Sequence, residues 1–216
     1  MRLALLGNPE AEELIVFFAG WAMDERPFRR LWEKNTAVAL IYDYRDLELP
    51  EIPQGYTRVY VLAWSLGVCA ALKNPSALEG EILCLAGTGA FSHPVFGIHP
   101  RMINLTLKGL EERREKSLLA FYANMFSGEP GFDLFLENRP QRPLSEIIEE
   151  LRIAFAGKPL FPSNLERVRA LCTSKDRIVP FEAQVRYWER VRVPMRVFET
   201  GHFPFYSLAS LKELFF

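Results

Sequence analysis

Continuous apolar runs, not alternating ones, dominate the first part of the chain. "LIVFFAG" (Leu14 to Gly20), "TAVALIYDY" (Thr36 to Tyr44), "RVYVLA" (Arg58 to Ala63) and "EILCLAG" (Glu81 to Gly87) each read as a strand. A strand that is apolar on both faces belongs in a parallel sheet covered by helices on both sides. Helical segments alternate with these strands. "DERPFRRLW" begins a short helix with Pro27 in its first turn, and "SLGVCAALK" follows the third strand directly. Strand character returns late, in "RVRALCTSKD" (Arg167 to Asp176) and "PMRVFET" (Pro194 to Thr200). A helix is predicted between them over Phe181 to Arg190, and another at the end of the chain. The fold class is therefore α/β, with a mostly parallel central sheet and helices on both faces.

The rhythm changes after Gly89. From Pro94 to Pro162 the pattern is helical and strand-poor, and "PLSEIIEELRIAF" sets Leu144, Ile147, Ile148, Leu151 and Phe155 on one helix face. The chain divides into a core of residues 1–93 and 163–216 and an inserted helical lid of residues 94–162. An insertion of roughly 65 residues is long enough to cover a site.

Composition narrows the function classes. The 216 residues are 49% hydrophobic, with 26 basic and 27 acidic side chains and a formal net charge of −1. Nucleic-acid binding, which normally leaves a basic excess, is disfavoured. Cys69, Cys84 and Cys172 sit singly in apolar runs, as buried thiols of a reducing compartment do. The start, "MRLALLGNPEAEEL", is too soon acidic for a signal peptide, and no apolar run approaches the ~20 residues that span a bilayer. A cytoplasmic, monomeric protein with no membrane association is expected.

The chemistry centres on Ala63-Trp64-Ser65-Leu66-Gly67, at a junction between strand and helix. In a nucleophile elbow the serine takes a strained conformation that lifts its Oγ above the sheet, and the positions two before and two after must be small. The usual form is Gly-x-Ser-x-Gly, and Ala63 adds one methyl to it. Alone, such a serine would be read as a helix cap. Asp176 in "TSKDRIVP" and His202 in "ETGHFPFY" each follow a predicted strand, in the chain order nucleophile, acid, histidine. Read singly, Asp176 is a turn residue and His202 a surface residue; together and in order they point to a catalytic triad. In "FFAGWAMDE" the small residues Ala19 and Gly20 before Trp21 would let a backbone N–H face a substrate oxygen. No metal or organic cofactor is expected, since the three histidines and three cysteines lack ligand spacing. Most aromatic residues are core, but Phe91, Phe96, Phe121, Tyr122 and Phe126 could line a channel.

On "LIVFFAGWAMDERPF", "IYDYRDL", "AWSLGV", "SKDRIVP" and "GHFPFY" the sequence resembles the α/β-hydrolase superfamily, and within it the short pimeloyl-[acyl-carrier protein] methyl ester esterases of biotin synthesis. That resemblance implies hydrolysis of the methyl ester to pimeloyl-[acyl-carrier protein] and methanol, with acyl-carrier protein as partner. It implies Ser65, Asp176 and His202 as the triad, Trp21 and Leu66 as the oxyanion-hole donors, and Trp21, Phe121 and Tyr122 against the substrate. The carrier is acidic, and Arg139 and Arg142 in "ENRPQRP" are expected to dock it. Alternatives are a general carboxylesterase or thioesterase on small acyl esters, and a non-catalytic binding protein of the same fold.

Overall fold

A computed structural model describes residues 1–31, 35–73, 78 and 80–215. Seven strands form one sheet: β1 (Arg2–Gly7), β2 (Glu13–Phe18), β3 (Thr36–Tyr42), β4 (Arg58–Trp64), β5 (Ile82–Leu85), β6 (Val168–Thr173) and β7 (Met195–Phe198). Their order is β1-β3-β2-β4-β5-β6-β7. All neighbours are parallel except β1, which runs antiparallel to β3 from Arg2↔Tyr42 to Gly7↔Ala37. The inner strands are buried almost throughout: Leu14 to Phe18, Ala37 to Ile41 and Val61 to Trp64 form the centre of the core. Helix α1 (Leu66–Lys73) packs on β4 and β2.

β1 is the strand that the apolar pattern does not announce. It lies at the sheet edge, its residues are at most partly buried, and Leu5 is 61% exposed. Its pairing is with a strand thirty-odd residues away, which no local signal encodes. The strand ends also differ from those predicted. β2, β3, β5, β6 and β7 all stop before the last residues of the apolar runs. Those residues form loops at the carboxyl edge of the sheet. The predicted first helix is a single 3-10 turn at Arg26–Phe28, and Trp32 lies outside the described residues. The expected terminal helix is two 3-10 turns, Phe205–Ser207 and Leu211–Leu214.

Between β5 and β6 the chain builds α2 (Pro100–Arg113), α3 (Glu115–Phe126), α4 (Phe132–Glu137) and α5 (Leu144–Ala156). In α5, Ile147 and Leu151 are buried, as is Glu150 one turn after Ile147, whereas Leu144, Ile148 and Phe155 are partly covered. Helix α6 (Phe181–Arg190) then returns the chain along β6. Cys84 and Cys172 are buried free thiols and Cys69 is partly so. Burial pushes Cys69 up to about 11 and Cys172 up to about 12, which disfavours the reactive thiolate at both. Among the described residues no helix is long and apolar enough to cross a membrane.

Candidate active site

Four strands leave the sheet through residues in the left-handed region: Ala22 after β2 (φ 64°), Asp43 after β3 (φ 63°), Ser65 after β4 (φ 57°) and Ala86 after β5 (φ 49°). None is glycine, so each carries a backbone cost that tertiary contacts must offset. Ser65 is held by its own N–H, which donates to Leu85 O at 3.0 Å. Gly67 shows why small residues flank it. A Cβ there would stand 2.3 Å from Phe18 O and 2.6 Å from Ala19 O. The first turn of α1 therefore lies directly on the end of β2, bringing Leu66 beside the loop that carries Trp21.

His202 connects the serine to a carboxylate. Its Nε2 is 2.9 Å from Ser65 Oγ and its Nδ1 is 2.7 Å from Asp176 Oδ2. Asp176 acts as acceptor for the rest of its shell. Its Oδ1 accepts from Ile178 N (2.8 Å) and Val179 N (3.0 Å), and its Oδ2 from Thr173 Oγ1 (2.8 Å) and Gln184 Nε2 (3.1 Å). In the tautomer with the proton on Nδ1, that N–H donates to Asp176 Oδ2 and Nε2 accepts from the Ser65 hydroxyl, which is the arrangement a triad uses.

The backbone of His202 is fixed from two sides. Trp64 Nε1 donates to its carbonyl oxygen at 2.8 Å, and its own N–H donates to Met125 O, at the end of α3, at 2.8 Å. Glu129 accepts from Thr200 Oγ1 (2.8 Å) and Gly201 N (3.0 Å), securing the turn just before the histidine. Trp64 meets the imidazole at 5.3 Å between ring centroids, and behind it Trp64, Phe203, Phe205 and Phe28 pack on one another, mostly edge-on. Gln184, Met125 and Glu129 escaped sequence reasoning. For Gln184 the sequence offers one signal, a polar residue among the apolar positions Ala183, Tyr187 and Trp188 of the predicted helix.

Ser65 opens into a cavity of about 400 Å³. Trp21, Phe91, Ile98, Ile103, Phe121 and Leu151 form its apolar wall, and Arg113, Lys116 and Arg177 put exposed cations on its rim. Phe121 meets Trp21 edge-on at 4.7 Å. Three expected lining residues lie elsewhere. Tyr122 is buried off the cavity, its hydroxyl donating to Ala22 O at 3.3 Å, because the helical position after Phe121 faces the core. Phe126 is a core residue against Phe135 and Phe203, and Phe96 packs on His93 and Phe161.

The expected docking arginines also require correction. Arg142 is no surface cation: its side chain is 2% exposed and ion-paired with Asp43 (2.9 Å) and Glu150 (2.8 Å). Pro140 and Pro143 do bracket it, but the loop folds it inward against the acids of β3's end and α5. Arg139 is at the surface, paired with Glu115 at 2.7 Å, and lines a separate depression.

Known proteins share this fold. The crystal structure of BioG from Haemophilus influenzae superposes with a TM-score of 0.85 at 26% identity, covering 99% of each chain. An esterase from Exiguobacterium antarcticum superposes at 0.67 and 20% identity, over 95% of this chain and 89% of that one, which supports the α/β-hydrolase fold. A malonyl-[acyl-carrier protein] O-methyltransferase from Bacteroides fragilis (strain 638R) is 32% identical over 210 residues, 95% of this chain. The chain spans only 42% of that relative's length. A model of the family described as pimeloyl-ACP methyl esterase BioG matches residues 5–213. The chain is an α/β hydrolase that belongs to the BioG family.

Proposed function

We propose that the protein is a serine esterase that hydrolyses the methyl ester of pimeloyl-[acyl-carrier protein], releasing methanol and the free pimeloyl carboxylate in biotin biosynthesis. The observation that carries this reading is the hydrogen-bonded chain Ser65–His202–Asp176 at the floor of an apolar cavity. Family membership supplies the substrate class.

In the proposed reaction the ester carbonyl carbon approaches Ser65 Oγ. His202 Nε2 takes the hydroxyl proton as the Oγ–C bond forms, and Asp176 steadies the imidazolium. The backbone N–H groups of Trp21 and Leu66 receive the oxyanion; that of Leu66 opens α1, whose dipole favours negative charge. His202 then protonates the methoxide as its bond to carbon breaks, and methanol leaves. Water, deprotonated by His202, attacks the acyl-enzyme, and Ser65 regains its proton as the acid departs. The methylene chain lies along Phe121, Ile103 and Leu151, and its thioester end reaches the rim. There Arg113, Lys116 and Arg177 face the acidic carrier, taking the docking role first expected of Arg139 and Arg142.

The test compares carrier-bound pimeloyl methyl ester with a short aryl ester, using wild type and Ser65→Ala. Hydrolysis of the carrier-bound ester that vanishes in Ser65→Ala, with the fold intact, is the expected result. Undiminished hydrolysis by purified Ser65→Ala would remove the serine mechanism. Preference for the aryl ester would instead make the protein a general carboxylesterase.

A further inference from the structure

Glu150 is a charged residue of an inserted helix with no exposed surface, and the reaction described above does not use it. Its Oε1 accepts from Tyr44 N at 2.8 Å. Its Oε2 accepts from Ala22 N at 3.3 Å and from Arg142 Nη1 at 2.8 Å. Both oxygens are thus occupied by donors from two strand-end loops and one lid arginine. A buried carboxylate is costly unless it is paired and hydrogen-bonded, and here two backbone N–H groups and an arginine meet it.

The partner that matters is Ala22. It follows Trp21 directly and holds the left-handed conformation at the end of β2. Several groups around this turn are tied to neighbouring elements. Tyr44 Oη donates to Ala19 O at 2.7 Å, Trp21 Nε1 to Ile147 O at 2.9 Å, and Tyr122 Oη to Ala22 O at 3.3 Å. Just beyond, Arg142 Nη1 donates to Met23 O at 3.3 Å, and Gln141 N donates to Asp24 Oδ2 at 2.7 Å. Trp21 is therefore held by α5 on two sides, through its indole and through the N–H of the next residue. Rotation of that turn would redirect the Trp21 N–H.

We infer that Glu150 is a positioning residue for the oxyanion hole: by holding Ala22 N–H and Tyr44 N–H, it fixes the turn that aims the Trp21 N–H at the reacting carbonyl oxygen. This rests on the reading of Trp21 as an oxyanion donor. Burial raises the Glu150 carboxyl above its ordinary value, while Arg142 and the N–H groups of Tyr44 and Ala22 act in the opposite direction. Glutamine at this position could not satisfy all of these donors, because its amide nitrogen would face one of them with a hydrogen.

Loss of one oxyanion donor typically lowers kcat by about 100- to 1,000-fold, and a misaimed donor by less. Glu150→Gln is expected to lower kcat for a small methyl ester at least ~10-fold with KM little changed, since the cavity wall is untouched. Because this change leaves Arg142 without one of its acids, a second variant removes both charges: Arg142→Met with Glu150→Leu. Its fold is checked by thermal melting and circular dichroism, and the same split of kcat from KM is expected. Unchanged kcat in either folded variant, beside an active wild type, would overturn the inference alone. Wild type that hydrolyses no methyl ester would overturn the reading of the site along with it.

Discussion

The indole nitrogen of Trp64 donates to the carbonyl oxygen of His202 at 2.8 Å, so the residue immediately before the serine anchors the backbone of the histidine facing that serine. The two lie 138 residues apart in sequence, and their ring centroids are 5.3 Å apart. Trp64→Phe keeps most of the aromatic packing and leaves a buried carbonyl without its donor. Stability should fall by about 1–3 kcal/mol. Turnover should fall further than that loss alone would cause, because the imidazole is no longer held at its 2.9 Å distance from Ser65. Denaturant melts together with kcat on a methyl ester check both effects.

Gly67 admits no side chain. A methyl at 2.3 Å from Phe18 O forces either β2 or α1 to move, and the obstacle is backbone rather than a flexible side chain. Gly67→Ala should destabilise the protein by at least ~3 kcal/mol, at the upper end of overpacking costs. Soluble yield and melting temperature measure this directly. A variant as stable as wild type would mean that the elbow is looser than the contact implies.

Asp43 sets an acid limit on stability. Burial drives its carboxyl up, but Arg45, Arg142 and Arg2 outweigh burial and hold it below its ordinary 3.8. Between that native value and 3.8 the unfolded chain binds the proton and the native chain does not, so stability rises with pH there. The contribution is complete above 3.8 and disappears as pH falls through the native value. Asp43→Asn should cost about 3 kcal/mol near neutrality, as expected for breaking a buried ion pair. The difference from wild type should shrink as the pH drops below 3.8. Urea melts at a series of pH values would show the two curves converging on the acid side.

The cationic rim should matter to a large acidic partner more than to a small ester. Arg113→Glu should lower kcat/KM on the carrier-bound ester about tenfold or more and flatten its salt dependence. The same change should affect a small methyl ester much less. Equal losses on both substrates would place the effect in the packing of α2.

Much of this architecture could be read from the chain because its strands are apolar on both faces, a pattern that parallel sheets impose. The junction at Ser65 is legible because Asp176 and His202 follow it in order at strand ends, whereas the serine alone reads as a helix cap. β1 was not legible, since an exposed edge strand shows weak patterning and its partner lies far away in sequence. Arg142 reads as a surface cation, and Glu150 carries no sequence signal of its own. Their residue types speak for solvent, and nothing local tells that two prolines and a helix turn will fold both into a dry cluster with Asp43. Glu150 sits three residues after Ile147 and one before Leu151, on the buried face of α5, a position that an apolar-only reading of the helix passes over.

The ion cluster joins three parts of the chain that exchange might otherwise treat as interchangeable pieces. Arg2 comes from β1, Asp43 and Arg45 from the end of β3, and Arg142, Glu146 and Glu150 from the inserted helices and the loop before them. A chimaera that imports residues 94–162 from a relative inherits this dependency. Unless the newcomer carries an arginine to meet Asp43 and a carboxylate to meet the turn after Trp21, the host retains buried groups with no complement. The insertion is thus not a portable cassette, and a transplant designed to change acyl preference has to include the positions around 2, 43 and 45 as part of the graft.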